Sequence, residues 1–199
     1  MMFASINLQA DIIDRSKVLV KKYLTSPLTL ISNFKQTIID EQGKVIDEMS
    51  GSIMIQKPDK FRWHYKKPYE QIFIRNENRF ISYDVDLDSY ITRDVDTLKL
   101  NALRILLNND QKLLLEIEYL DVYEKNGILW AHLLYYGQSN ESFKLTLGFQ
   151  DNALSKMLIK DSLGQNMVID FRDLILNPDI NSTLFDIDRL IETLSNNIS

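Results

Sequence analysis

The stretch GSIMIQKPDKFRWHYKKPYEQIFIRNENRFISYDVDLDSY, residues 51–90, decides the fold class. Within it Phe61, Trp63 and Tyr65 fall on one side of an extended chain, and Lys60, Arg62 and His64 fall on the other. That alternation is the period of a half-buried β-strand. Pro58, Pro68 and the Asn76-Glu77-Asn78 step break the stretch into short strands joined by turns.

The same period recurs further along the chain. It appears at Leu115/Ile117/Tyr119, at Phe143/Leu145/Leu147/Phe149 and at Met167/Ile169/Phe171. Turn signals separate the runs: Glu41-Gln42-Gly43, Lys125-Asn126-Gly127, Asp151-Asn152 and Ser162-Leu163-Gly164. Connections this short cannot hold crossover helices, so the strands form an antiparallel meander, expected at ten or eleven strands. A sheet that long must curl or split, which makes a barrel or half-barrel the expected architecture within an α+β, mainly antiparallel β, class.

Three helices interrupt the meander. Residues 11–25 place Ile12, Ile13, Leu19, Val20, Tyr23 and Leu24 on one helical face, with Asp11 as the expected cap and Pro27 beyond the end. Residues 98–107, LKLNALRILL, are apolar nearly all round and need burial on several sides, as a plug in the core or a lid over a cavity. Residues 187–194 repeat Ile187, Leu190, Ile191 and Leu194 at the spacing of a helix packed on a surface. Residues 1–10 end in a small residue, Ala10, and are expected to be a signal-peptide remnant or a disordered arm. The remainder, 11–199, is expected to form a single domain.

Composition narrows the function. With 199 residues, 45% hydrophobic and 26% charged, the chain can bury a sizeable core. A net charge of −5 and a pI near 5.1 argue against a nucleic-acid partner, whose binding rests on clustered Lys and Arg. The absence of Cys excludes a disulfide framework, thiol chemistry and Cys-ligated zinc. His64 and His132 are the only histidines, neither has metal-ligand spacing, and both read as solvated strand residues. Asp84-x-Asp86-x-Asp88 imitates the opening of a calcium loop, but Ser89 and Val95 stand where that loop needs Gly and Glu, leaving turn aspartates. No nucleophile elbow, phosphate loop or dinucleotide fingerprint occurs, and an enzyme is not expected. No cofactor or metal is implied.

The order of motifs resembles the periplasmic outer-membrane lipoprotein carrier family, LolA. The resemblance rests on Phe34-x-Gln36, Gly43, Gly51, Lys57-Pro58, Phe61-x-Trp63, Pro68, Gln71, Tyr83-Asp84, the helix residues Leu103, Ile105, Leu106 and Leu107, then Trp130 and Asp161-x-x-Gly164-Gln165. It implies an unclosed, half β-barrel of about 11 strands, with helices covering its concave face as a lid. It further implies a soluble carrier that receives the acyl chains of lipoproteins. Cargo would come from an inner-membrane ABC transporter and pass to an outer-membrane receptor, across the periplasm. On this resemblance the lipid cavity is assigned to Phe34, Phe61, Trp63, Phe73, Leu103, Leu106, Leu107 and Met157, and Lys57 to a clasp on lid-helix carbonyls. The protein is expected to be a monomer.

Three positions depart from the family pattern: Lys57 where Arg is usual, Ile81 where a Trp is usual, and a C-terminal Phe185–Leu190 segment without the usual Pro-Gly turn. Two other readings stay open on the sequence: an outer-membrane receptor or stress-sensing relative on the same half-barrel, and an unrelated barrel binding a small apolar molecule.

Overall fold

In a computed structural model, which describes residues 2–25, 28–94, 105–107, 111–136, 142–160 and 166–196, the alternating runs become strands. They are β1 (Thr29–Ile39), β2 (Val45–Gln56), β3 (Lys60–Lys67), β4 (Gln71–Asn76), β5 (Arg79–Asp84) and β6 (Ser89–Asp94) in the first half. The second half supplies β7 (Ile117–Lys125), β8 (Ile128–Tyr136), β9 (Ser142–Gln150), β10 (Ala153–Lys160) and β11 (Asn166–Leu176). Helix α1 (Met2–Thr25) precedes them and α2 (Ile187–Asn196) follows.

The strands form one sheet in the order β6-β5-β4-β3-β2-β1-β11-β10-β9-β8-β7. Each neighbouring pair is antiparallel, and β1 joins the two meanders by pairing with β11. Strands β6 and β7 stand at opposite ends of that order, so the half-barrel is unclosed, as expected.

Register sorts the side chains into two faces. Across β2, β3 and β4 the partners Ile53, Trp63 and Phe73 lie in one row, as do Ile55 and Phe61. Phe34 and Phe171 are partners, and so are Met157 and Ile169. These residues belong to one apolar cluster with Leu19, Val20, Tyr23 and Leu24 of α1 and with the helical residues 105–107. The concave face is therefore roofed by α1 and by residues 105–107 of the apolar 98–107 segment. Residues 98–104 lie outside the described residues.

Three expectations are corrected. Helix α1 begins at Met2 rather than Asp11, so Asp11 is interior and does not cap it; Phe3 to Ala10 contains no Gly or Pro to stop a helix. Residues 2–10 form the first turns of that helix. Leu115 is not on a strand: Gln111–Glu116 forms a 3-10 turn, β7 starts at Ile117, and Leu115 is 87% exposed. Finally, the histidines are partnered, not merely solvated. His64 Nε2 lies 2.7 Å from Glu70 Oε1, and His132 bridges Thr146 Oγ1 and Tyr123 Oη at 2.7 and 3.2 Å.

The aspartates at 84, 86 and 88 do build a turn. Asp84 Oδ1 accepts from the Leu87 N–H, Asp86 Oδ2 from the Glu70 N–H, and Asp88 Oδ1 from the Tyr83 hydroxyl.

The opposite, convex face carries a second core. Ile72 and Ile74 of β4 and Ile81 and Tyr83 of β5 pack with Phe185, Ile187 and Leu194. Asn181 caps the short turn Ser182–Phe185 by accepting from the Thr183 N–H, which aims Phe185 into this core. Arg79 grips Asp188 with two hydrogen bonds of 2.7 and 2.8 Å, and the Arg62 guanidinium donates to the Leu184 carbonyl. Ile81 is fully buried within this core.

Candidate functional site

The concave face is built from alternate residues of the strands, so each is positioned by register rather than by a loop. Phe34, Trp63, Tyr65 and Phe73 form a connected aromatic group on β1, β3 and β4. The Phe34 and Trp63 rings are 4.8 Å apart, Phe34 and Tyr65 meet edge-on at 5.4 Å, and Tyr65 and Phe73 edge-on at 5.9 Å. Phe73 stacks on Phe80 of β5, and Phe61 lies 6.2 Å from the same ring.

Of the residues assigned to the cavity, Phe34, Phe61, Trp63, Leu106, Leu107 and Met157 all enter this single cluster, and Phe73 packs at its margin, partly buried. Leu103 lies outside the described residues. Phe61 is 1% exposed and lies opposite Ile55. A carboxylate placed there would be buried without a partner, so Phe61→Glu probes the fold rather than a docking rim.

Lys57 is 8% exposed, and its Nζ donates a 2.6 Å hydrogen bond to the Leu24 carbonyl in the last turn of α1. Its backbone N–H donates to the Leu28 carbonyl at 2.8 Å. Lys57 thus meets the roof through α1, where the helix leaves carbonyls without intrahelical donors. Most of the expected target, 98–107, falls outside the described residues. Burial lowers the Lys57 ammonium to a pKa of about 8.

Two polar residues on this face carried no assigned role in the sequence. Gln36 is fully buried on β1, and its Oε1 accepts from the Tyr65 hydroxyl at 2.9 Å. Burial pushes the Tyr65 hydroxyl up to about 12, against the opposing hydrogen bond to Gln36. The signal that could have found them is a polar residue at an inward position of a strand: Gln36 follows Leu30, Ser32 and Phe34 at strict period two, and Ser32 is buried as well.

Gly51 faces Phe34 on one side and Tyr65 on the other. A Cβ at Gly51 would sit 1.8 Å from the His64 carbonyl oxygen, so only glycine permits the approach of β2 and β3 there.

Residues 26–188 match the family described as outer membrane lipoprotein carrier protein LolA. The chain belongs to this family. An outer-membrane lipoprotein carrier protein of Methylobacillus flagellatus is 30% identical over 166 residues, spanning 83% of this chain and 81% of that one. One from Nitrosomonas europaea is 28% identical over 167 residues, with the same coverage of both chains. The crystal structure of a LolA superfamily protein from Nitrosomonas europaea has the same fold. Its TM-score is 0.54 at 10% identity, over 91% of this chain and 98% of that one. No helix among the described residues is long and apolar enough to cross a membrane.

Proposed function

We propose that this protein is a lipoprotein carrier whose concave face receives the acyl chains of its cargo. The observation that carries the reading is the LolA family match over residues 26–188, laid on a half-barrel whose inward row is aromatic and aliphatic and roofed by helices. An acyl chain leaving a bilayer exposes many methylenes, each costing about 0.8 kcal/mol in water, so passage through an aqueous compartment needs a shield. Phe, Met, Leu and Ile supply that shield without fixed polar contacts, which keeps release feasible.

Because the inward row is packed beneath α1 and residues 105–107, cargo enters as the roof gives way. Lys57 fastens one end of that roof through α1. In this reading the protein works in the periplasm as a monomer, taking lipoproteins from an inner-membrane ABC transporter and passing them to an outer-membrane receptor.

The test is displacement of an environment-sensitive apolar dye from the purified protein. A triacylated lipoprotein should displace the dye, and the same lipoprotein without its acyl groups should not. Equal competition by both forms would show that the polypeptide is what is recognised, and the carrier reading would fail.

A further inference from the structure

The concave face contains one polar arrangement that an apolar shield does not need. Trp63 is 4% exposed, yet its indole Nε1–H finds no hydrogen-bond partner. Buried N–H groups in folded proteins are satisfied in the great majority of cases, so an orphan on a ligand-binding face calls for an acceptor. The Tyr65 hydroxyl lies beside this indole, close enough for the indole to favour its ionised form, without the geometry of a hydrogen bond. That hydroxyl is already committed as a donor to Gln36 Oε1. The commitment leaves the Gln36 amide N–H groups and the lone pairs of the hydroxyl available, and the indole N–H unmet.

The three side chains come from adjacent strands in one register. Gln36 of β1 and Tyr65 of β3 reach each other across β2, where Gly51 contributes no side chain between them. Trp63 stands two residues before Tyr65 on the same face, with its ring 5.9 Å from the tyrosine ring and 4.8 Å from Phe34. Aromatic walls and a donor edge therefore lie side by side. Hydrocarbon has nothing to give that edge. The carbonyl oxygen at the head of an acyl chain does: it is a neutral acceptor joined directly to the methylenes that the surrounding rings would cover.

We propose that Trp63, supported by Gln36 and Tyr65, is a carbonyl-recognition subsite that binds the ester or amide carbonyl of an acyl chain. The inference rests on the carrier reading above and adds a chemical selectivity to it. The subsite sets how deep the chain sits, because the carbonyl is fixed at the indole and the tail runs over the apolar cluster that holds Phe34, Phe61 and Met157. It also makes acyl chains preferable to hydrocarbon of equal length.

The probes are methyl laurate and dodecyl methyl ether, which match in chain length and differ in the carbonyl. Displacement of the apolar dye gives the ratio of their affinities. The native protein should prefer the ester by about tenfold, the scale of one hydrogen bond to a donor otherwise unsatisfied. In Trp63→Phe the ratio should fall to near one, whatever happens to the two affinities separately. Tyr65→Phe, which releases Gln36, should change the ratio by a smaller factor and serves if Trp63→Phe does not fold. A carbonyl-13C label on the ester gives an independent readout: its infrared stretch should lie lower on the native protein than on Trp63→Phe.

Binding of both probes with equal affinity to the native protein would overturn the subsite while leaving an apolar cavity. An ester preference undiminished in Trp63→Phe would overturn it equally, because the donor would then lie elsewhere. Failure of both probes to displace the dye would count against the carrier reading itself.

Discussion

Gly51→Ala should lose the native sheet at room temperature or leave it barely stable, a cost above about 4 kcal/mol. The added Cβ would sit 1.8 Å from the His64 carbonyl oxygen and 2.8 Å from its carbon, both backbone atoms. A side chain could rotate away, but a carbonyl in the β2–β3 ladder cannot move without breaking that ladder. The register already slips between Ser50 and Gly51, so the irregularity that would absorb strain is spent. Damage would spread, because Phe34, Trp63 and Tyr65 all pack around this crossing. Gly148→Ala is the contrasting case. Its Cβ would meet the edge of the Trp130 ring at 2.9 Å and the Ile128 methyl and Lys156 Cβ at 3.2 Å each; the ring and the methyl can shift and only the Lys156 Cβ is tied to its backbone, so about 1–3 kcal/mol is expected. Urea unfolding of the two variants checks the difference. Similar stability for both would mean that β2 and β3 separate more easily than this geometry allows.

The contrast also shows what a sequence conveys. The inward alternation of Phe61, Trp63 and Tyr65 could be read because one face is buried and the period of a strand is two. Gly51 could be singled out only by likeness to a family, since a glycine in a strand does not name the carbonyl that crowds it. Leu115 escapes a periodicity argument because a continuous apolar run, Leu113-Leu114-Leu115, fits strand and helix alike; β7 begins where Ile117 gains Tyr135 as a partner. His132 depends on Thr146, fourteen residues away, and that pairing is a matter of register, which the chain does not spell out. The second core was partly legible. In Ile72-Phe73-Ile74 and Phe80-Ile81 both faces of the strands are apolar, which asks for cover on both sides. The sequence also held the cover, in Phe185, Ile187 and Leu194, but nothing local says which face a terminal helix will choose. The polar group of Gln36, Trp63 and Tyr65 needed three strands in register before it could be seen.

Stability should rise with pH from about 8 to about 10, and Lys57 should be the cause. Its ammonium is buried beneath α1 with the Leu24 carbonyl as acceptor, and burial lowers its pKa from 10.5 to about 8. Below that value Lys57 is charged in the folded and unfolded chain alike, and the fold bears the cost of desolvating it. Above it the folded protein has released a proton that the unfolded chain still holds. Unfolding then takes up a proton, so each further pH unit favours the folded state. The gain is complete only above the unfolded value and is lost as the pH falls through about 8. Over two pH units it amounts to about 2 kcal/mol. Tyr65 and Tyr119 act in the opposite sense at higher pH. Burial raises both from 10.0 to about 12, so in that interval the folded protein keeps protons that the unfolded chain gives up, and stability declines. A maximum near pH 10 follows. Lys57→Met keeps most of the stem but has no ionisable group, so its stability should stay flat over the interval where the native protein gains, while the fall above pH 10 remains. Urea titrations at unit pH steps on both proteins measure this directly. A native profile that matches Lys57→Met would place the ammonium in water, and the fastening of α1 to the sheet would have to come from apolar contact alone.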